Sequence, residues 1–151
     1  MKSLIFVFLI SASLGVAAFA QNVKPKVAAL PADIANWRGE TSDKILDNAA
    51  IKTRLKKLLG RRNYASFLES FETLAPIEKN DEILFSDGCL IQACGHLESA
   101  IAIDFVNNII YAAIYRENEK TKYFKERSGR TTKFITNWVK RLSSLNNSKQ
   151  S

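Results

Sequence analysis

Hydrophobic positions change period along the chain, and the changes mark its elements. Leu4 to Val16 is an apolar run broken only by Ser11, Ser13 and Gly15, with Lys2 ahead of it and Ala18-Phe19-Ala20 behind. A basic start, an apolar middle and small residues before Gln21 form the pattern of a cleaved secretory leader, so residues 1–20 are expected to be a signal peptide. The run is shorter than the roughly 20 residues that span a bilayer, and no second long apolar run follows. The exported chain is therefore expected to lack a transmembrane segment and to be periplasmic or secreted.

Residues 21–40 hold Pro25 and Pro31 and show little periodicity. They read as an extended N-terminal segment, docked through Leu30, Ile34 and Trp37. A helical period then begins. With Thr41 or Ser42 as cap, Ile45, Leu46, Ala49, Leu55, Leu58 and Leu59 recur on one face, while Lys52, Arg54, Lys56 and Lys57 fill the other. Gly60 predicts a stop. Tyr64, Phe67, Leu68, Phe71 and Leu74 predict a second helix, closed by Pro76.

Beyond Pro76 the period shortens. Ile83-Leu84-Phe85 predicts a strand leading to Asp87-Gly88. Ala100 to Phe105 and Ile109 to Tyr115 are two apolar runs separated by Asn107-Asn108, a turn pair because Asn tolerates positive φ. Glu117 to Lys120 reads as a turn and Thr121 to Phe124 as a further strand. Thr131 or Thr132 then caps a last helix with Phe134, Ile135, Trp138, Val139, Leu142 and Leu145 on one face; from Ser143 the chain turns polar and is expected to fray. Helices, consecutive strands and a helix predict an α+β fold: an antiparallel meander of three to five strands flanked by helices. The domain is placed at 41–145, with a polar tail at 146–151.

Composition narrows the function. The 151-residue chain carries +7, and +6 once Lys2 leaves with the leader. The charge is uneven. Between Pro76 and Asp104, Glu78, Asp81, Glu82, Asp87, Glu98 and Asp104 outweigh Lys79, for −5 locally; from Arg116 to Arg141 nine cations outweigh three glutamates, for +6. These are either solvated faces or an acidic partner-binding end on a basic body.

The cysteines number two, Cys89 and Cys94. In an exported chain such a pair predicts a disulfide. So small a ring contributes only about 2 kcal/mol in the chain-entropy model, but it fixes the loop Leu90-Ile91-Gln92-Ala93, and a rigid loop loses less entropy on binding. The alternative is a hairpin staple with no binding role. The spacing is not that of a redox motif. His96 is the single histidine, and Cys89, Cys94 and His96 with Asp87 or Glu98 match no known metal spacing, so no metal site is expected. Nor is an enzyme or a cofactor: there is no nucleophile elbow, phosphate loop or dinucleotide fingerprint. Asp104 reads as a structural carboxylate or turn former. Nucleic acid is not an expected partner, because the aromatic residues at helical spacing read as core and the chain is exported.

One segment carries a resemblance. Asp87-Gly88-Cys89, four residues, Cys94-Gly95, Glu98, the run to Asp104, the Asn107-Asn108 turn and the run Ile109 to Ile114 resemble the central part of the periplasmic inhibitors of vertebrate lysozyme. The resemblance spans about residues 83–115. It implies a non-catalytic binding protein that engages a lysozyme or related cell-wall lytic enzyme through the Cys89–Cys94 loop, with Asp87, His96 and Glu98 as flanking contacts; it leaves a homodimer open. The family's loop typically reads Lys-Pro-His-Asp, and its histidine meets the catalytic carboxylates. Here Gln92 holds the histidine's place. Its amide can donate a hydrogen bond but carries no charge, so an apolar Leu90-Ile91 tip could instead dock in a different pocket. Two further readings stay open: a protein that binds anionic envelope components through its basic C-terminal region, and a structural protein without inhibitory activity.

Overall fold

The computed structural model describes residues 27–149, so the expected leader and its cleavage site lie outside the described residues. Five strands form one antiparallel sheet in the order β1-β2-β3-β4-β5, each strand beside the next in sequence. They are β1 (Glu78–Asn80), β2 (Ile83–Cys89), β3 (Leu97–Asp104), β4 (Ile109–Arg116) and β5 (Lys122–Lys125). With the helices α1 (Asp43–Asp47), α2 (Ala49–Glu69) and α3 (Lys133–Lys149) they make the expected α+β fold.

The sheet is covered on both faces. Leu84, Ile101, Ile103, Ile110, Ala112 and Ile114 pack on one face against Ile51, Leu55, Leu59 and Phe67 of α2. Phe85, Ala100, Ala102, Ala113 and Tyr115 pack on the other against Ile135, Trp138 and Leu142 of α3. Double coverage is why β3 reads as a nearly unbroken apolar run instead of alternating. The three alanines facing α3 leave room for large side chains on that side, with Trp138 edge-on to Tyr115.

The first helix differs from its expected form. Asn48 takes an extended conformation (ψ 122°) between α1 and α2, and its side chain accepts the Ala50 and Ile51 amides at 3.1 and 3.2 Å. This cap starts a new helix where the apolar period alone ran on unbroken. Gly60 does interrupt α2, with φ +69° and ψ 167°, so the helix is kinked there. It ends at Glu69; Phe71 is buried beyond its end and Leu74 is exposed. In the N-terminal segment, Ile34–Asn36 form a 3-10 turn. Ile34 and Trp37 are buried and Leu30 packs on the same core, as expected of the docked segment.

Arg54 is a correction. Assigned to the polar face of its helix, it is in fact 4% exposed. Its guanidinium donates to both oxygens of Glu126, to the Asn108 side-chain oxygen at 2.6 Å, to the Asn108 carbonyl at 3.0 Å and to the Ala28 carbonyl at 3.2 Å. Glu126 also accepts the Ile110 amide at 2.8 Å. One cation thus ties α2, the β3–β4 turn, the end of β5 and the N-terminal segment. Asp104 does act as a turn former: it accepts the Asn107 amide at 2.8 Å and the Asn107 side-chain amide at 2.9 Å, while Asn108 takes the positive φ of 55°.

A second correction concerns the C-terminus. The stretch from Ser143, expected to fray, continues α3 to Lys149, and Asn146 is 5% exposed.

Candidate functional site

Cys89 ends β2 and Cys94 lies five positions on; the two form the disulfide, with Cα atoms 5.0 Å apart. The loop projects from one end of the sheet, beside the β4–β5 turn. Its root is set by close backbone packing. Thr73, just past α2, donates its amide to the Cys89 carbonyl at 3.1 Å and accepts the Cys89 amide on its hydroxyl at 2.9 Å. This crossing requires Gly88: a Cβ there would lie 2.7 Å from Phe71 and from the Thr73 carbonyl.

Both arms of the loop are held by carboxylates. Glu72 accepts the Ile91 amide at 3.1 Å, and Glu98 accepts the Gly95 amide at 2.7 Å. Asn146 of α3 donates to the Gly95 carbonyl at 2.7 Å and to the Tyr115 hydroxyl at 2.8 Å. Inside the ring Ala93 donates to the Leu90 carbonyl, and just beyond it both His96 and Leu97 donate to the Ala93 carbonyl, each at 2.9 Å. Gln92 takes φ +67° and Gly95 φ +88°, and these reversals fold the loop back on itself.

The four loop residues are not equivalent. Leu90 is half-buried against the α2-side core. Ala93 is partly covered, whereas Ile91, 57% exposed, and Gln92 face solvent. The presented tip is therefore Ile91-Gln92, and the expected Leu-Ile tip is half turned inward.

The flanking residues divide as well. His96 is exposed and its Nδ1 meets the Glu117 carboxylate. Asp87 is paired with Arg141 at 2.9 Å. Glu98 is 8% exposed, and burial holds its carboxyl above the usual carboxylate range; the Gly95 hydrogen bond opposes that rise and the Asp87 charge adds to it. Asp87, Gly88, Cys89, Glu98, Arg141 and Leu142 line an open cleft of about 320 Å³ beside the loop root. Among the described residues no group of three or more His, Cys, Asp or Glu could hold a metal ion, and no helix is long and apolar enough to cross a membrane.

The acidic surround of the loop is not the one counted along the sequence. Asp81 and Glu82 sit in the β1–β2 turn and Asp104 at the end of β3, all at the far end of the sheet. The seven residues of β2 put about 20 Å between that end and the loop, beyond a Debye length of about 8 Å. Glu72 and Glu117 take their place at the loop, brought in from the end of α2 and from the β4–β5 turn.

A family model described as inhibitor of vertebrate lysozyme matches residues 50–149, a span that holds the whole sheet, the disulfide loop, α3 and nearly all of α2. No curated protein and no solved structure matches the chain.

Proposed function

This chain belongs to the inhibitor of vertebrate lysozyme family, and on that premise we propose that it is an exported, non-catalytic protein that binds a lysozyme or related cell-wall lytic enzyme through the Ile91-Gln92 tip. The observation that supports the reading most is the fixation of the loop. Its disulfide, the two carboxylate acceptors and Asn146 order the backbone before any partner arrives. Ordering the backbone in advance removes the cost of ordering the loop on binding.

The tip also states what kind of contact is made. Ile91 offers a branched apolar surface and Gln92 one carboxamide, which can donate to a carboxylate in a cleft and accept from an amide beside it. Neither group titrates, so the tip's own affinity is flat with pH. The acidic groups at the loop root favour a partner with a basic rim and raise its on-rate more than its affinity. Asp87, His96 and Glu98 serve this reading differently: His96 is an exposed flank, Glu98 holds the Gly95 amide of the loop, and Asp87 is paired with Arg141 of α3.

The test is a lysis titration. The mature chain is added to lysozymes of several classes, and to a lytic enzyme of bacterial origin, while cell-wall turbidity is followed. Inhibition of at least one at micromolar concentration is expected. No inhibition of any, together with no calorimetric binding, would sink the reading.

A further inference from the structure

The sheet separates charge. Its strand order puts the β1–β2 pair, with Glu78, Asp81 and Glu82, at one edge and β5 at the other. Around β5 the chain carries Lys120, Lys122, Lys125, Arg127, Arg130 and Lys133, all exposed. None of the six is in an ion pair among the described residues. The one carboxylate in that stretch, Glu126, points inward onto Arg54. Its charge offsets a buried arginine, so the surface is more positive than the sequence count implies.

We propose that this β5 edge is a contact surface for the phosphate headgroups of an anionic bilayer, through Lys120, Lys122, Lys125, Arg127, Arg130 and Lys133. Long cations spread along one strand and its flanking loops, of which only Arg127 also lines a cavity, beside Arg54 and Lys57, suit a diffuse plane of charge that demands no shape complementarity. Tyr123, 46% exposed between Lys122 and Lys125, adds an amphipathic ring of the kind that settles at headgroup depth. Single-stranded nucleic acid would need successive stacking rings, but Tyr123 has no exposed aromatic neighbour along β5, since Phe124 packs into the core. The disulfide loop leaves the end of β2, three strand spacings from β5, or about 14 Å. Lys120, in the β4–β5 turn, is the part of this surface that lies beside the loop end.

Cosedimentation of the mature chain with vesicles tests the proposal. Binding to phosphatidylglycerol–phosphatidylcholine vesicles is expected at low salt, with little binding to phosphatidylcholine alone, and it should fall at least tenfold between about 0.05 and 0.5 M salt. Lys122→Glu with Lys125→Glu should weaken it at least tenfold, on the order of fivefold per lysine. Lys44→Glu with Lys52→Glu makes the same change in net charge elsewhere and should leave binding within about twofold. Inorganic phosphate should compete no better than its ionic strength predicts. Equal losses in the two pairs, no binding at low salt, specific competition by phosphate, or tighter binding to a DNA oligomer than to the vesicles would each overturn it. Ile91→Ala with Gln92→Ala should leave vesicle binding unchanged, so failure of the loop reading and failure of this one are told apart.

Discussion

Glu98 shows how a single residue can read as a contact in sequence and act as a support in the fold. It was expected to flank the loop, and it does so from inside, with its carboxylate on the Gly95 amide. Burial raises its folded pKa above the unfolded value, so the folded state binds the proton more tightly. The resulting stability is present at low pH and is lost as pH rises through the folded pKa. Glu98→Gln keeps an acceptor for Gly95 and removes the charge. Denaturant unfolding at several pH values should find the variant equal to wild type or up to about 1 kcal/mol more stable at neutral pH, with a flatter profile between neutral pH and pH 4. Gln92 makes the complementary case, a residue whose identity matters at the surface. Gln92→His restores the group the family's loop typically carries there. It should bind a lysozyme about tenfold more tightly near pH 5.5 than near pH 8, where the wild type shows no such slope, as titration at the two pH values would show. Arg54 is the opposite of a surface residue, although its neighbours in sequence made it look like one. Glu126→Ala leaves its guanidinium buried with fewer acceptors and should cost about 3–5 kcal/mol in an unfolding experiment.

At the scale of elements, what could be read from the sequence was what packs with a period. The β3 and β4 runs, the Asn107-Asn108 turn, the Gly60 break and the α3 face from Phe134 to Leu142 are each local signals, and each stands in the structure; Leu145, expected on the same face, is 50% exposed. β1 left no such signal, because Glu78-Lys79-Asn80 is a polar edge strand held by pairing with β2. The break at Asn48 was masked by an apolar period that crosses it; the cap-forming residue was the one available clue. The disulfide loop was legible from two cysteines and an expected leader. Its anchors were not, since Glu72 lies 19 residues from its loop partner and Asn146 lies 51 from its own. Gly88 belongs with them: its requirement comes from a segment crossing over it. Gly88→Ala should destabilise the protein by about 2 kcal/mol or more, by strain against Phe71 and the Thr73 carbonyl, which a melting curve would register.

The whole molecule is a covered sheet with three distinct margins. Its acidic edge and far turns lie away from the loop, its basic edge lies along β5, and the fixed loop leaves one end between them. Charge counted along the chain merged the first of these with the loop; topology separates them and replaces the lost carboxylates with Glu72 and Glu117. A partner with a basic rim would thus be drawn to the loop end and repelled from β5, which orients the encounter. The central claim, that the loop tip is the contact, is tested most directly by calorimetry of the mature chain with a lytic enzyme it inhibits, set against the double variant Ile91→Ala with Gln92→Ala. The expected result is a loss of affinity of at least thirtyfold, about 2 kcal/mol, with the melting temperature unchanged. Affinity equal to wild type in a folded variant would contradict it.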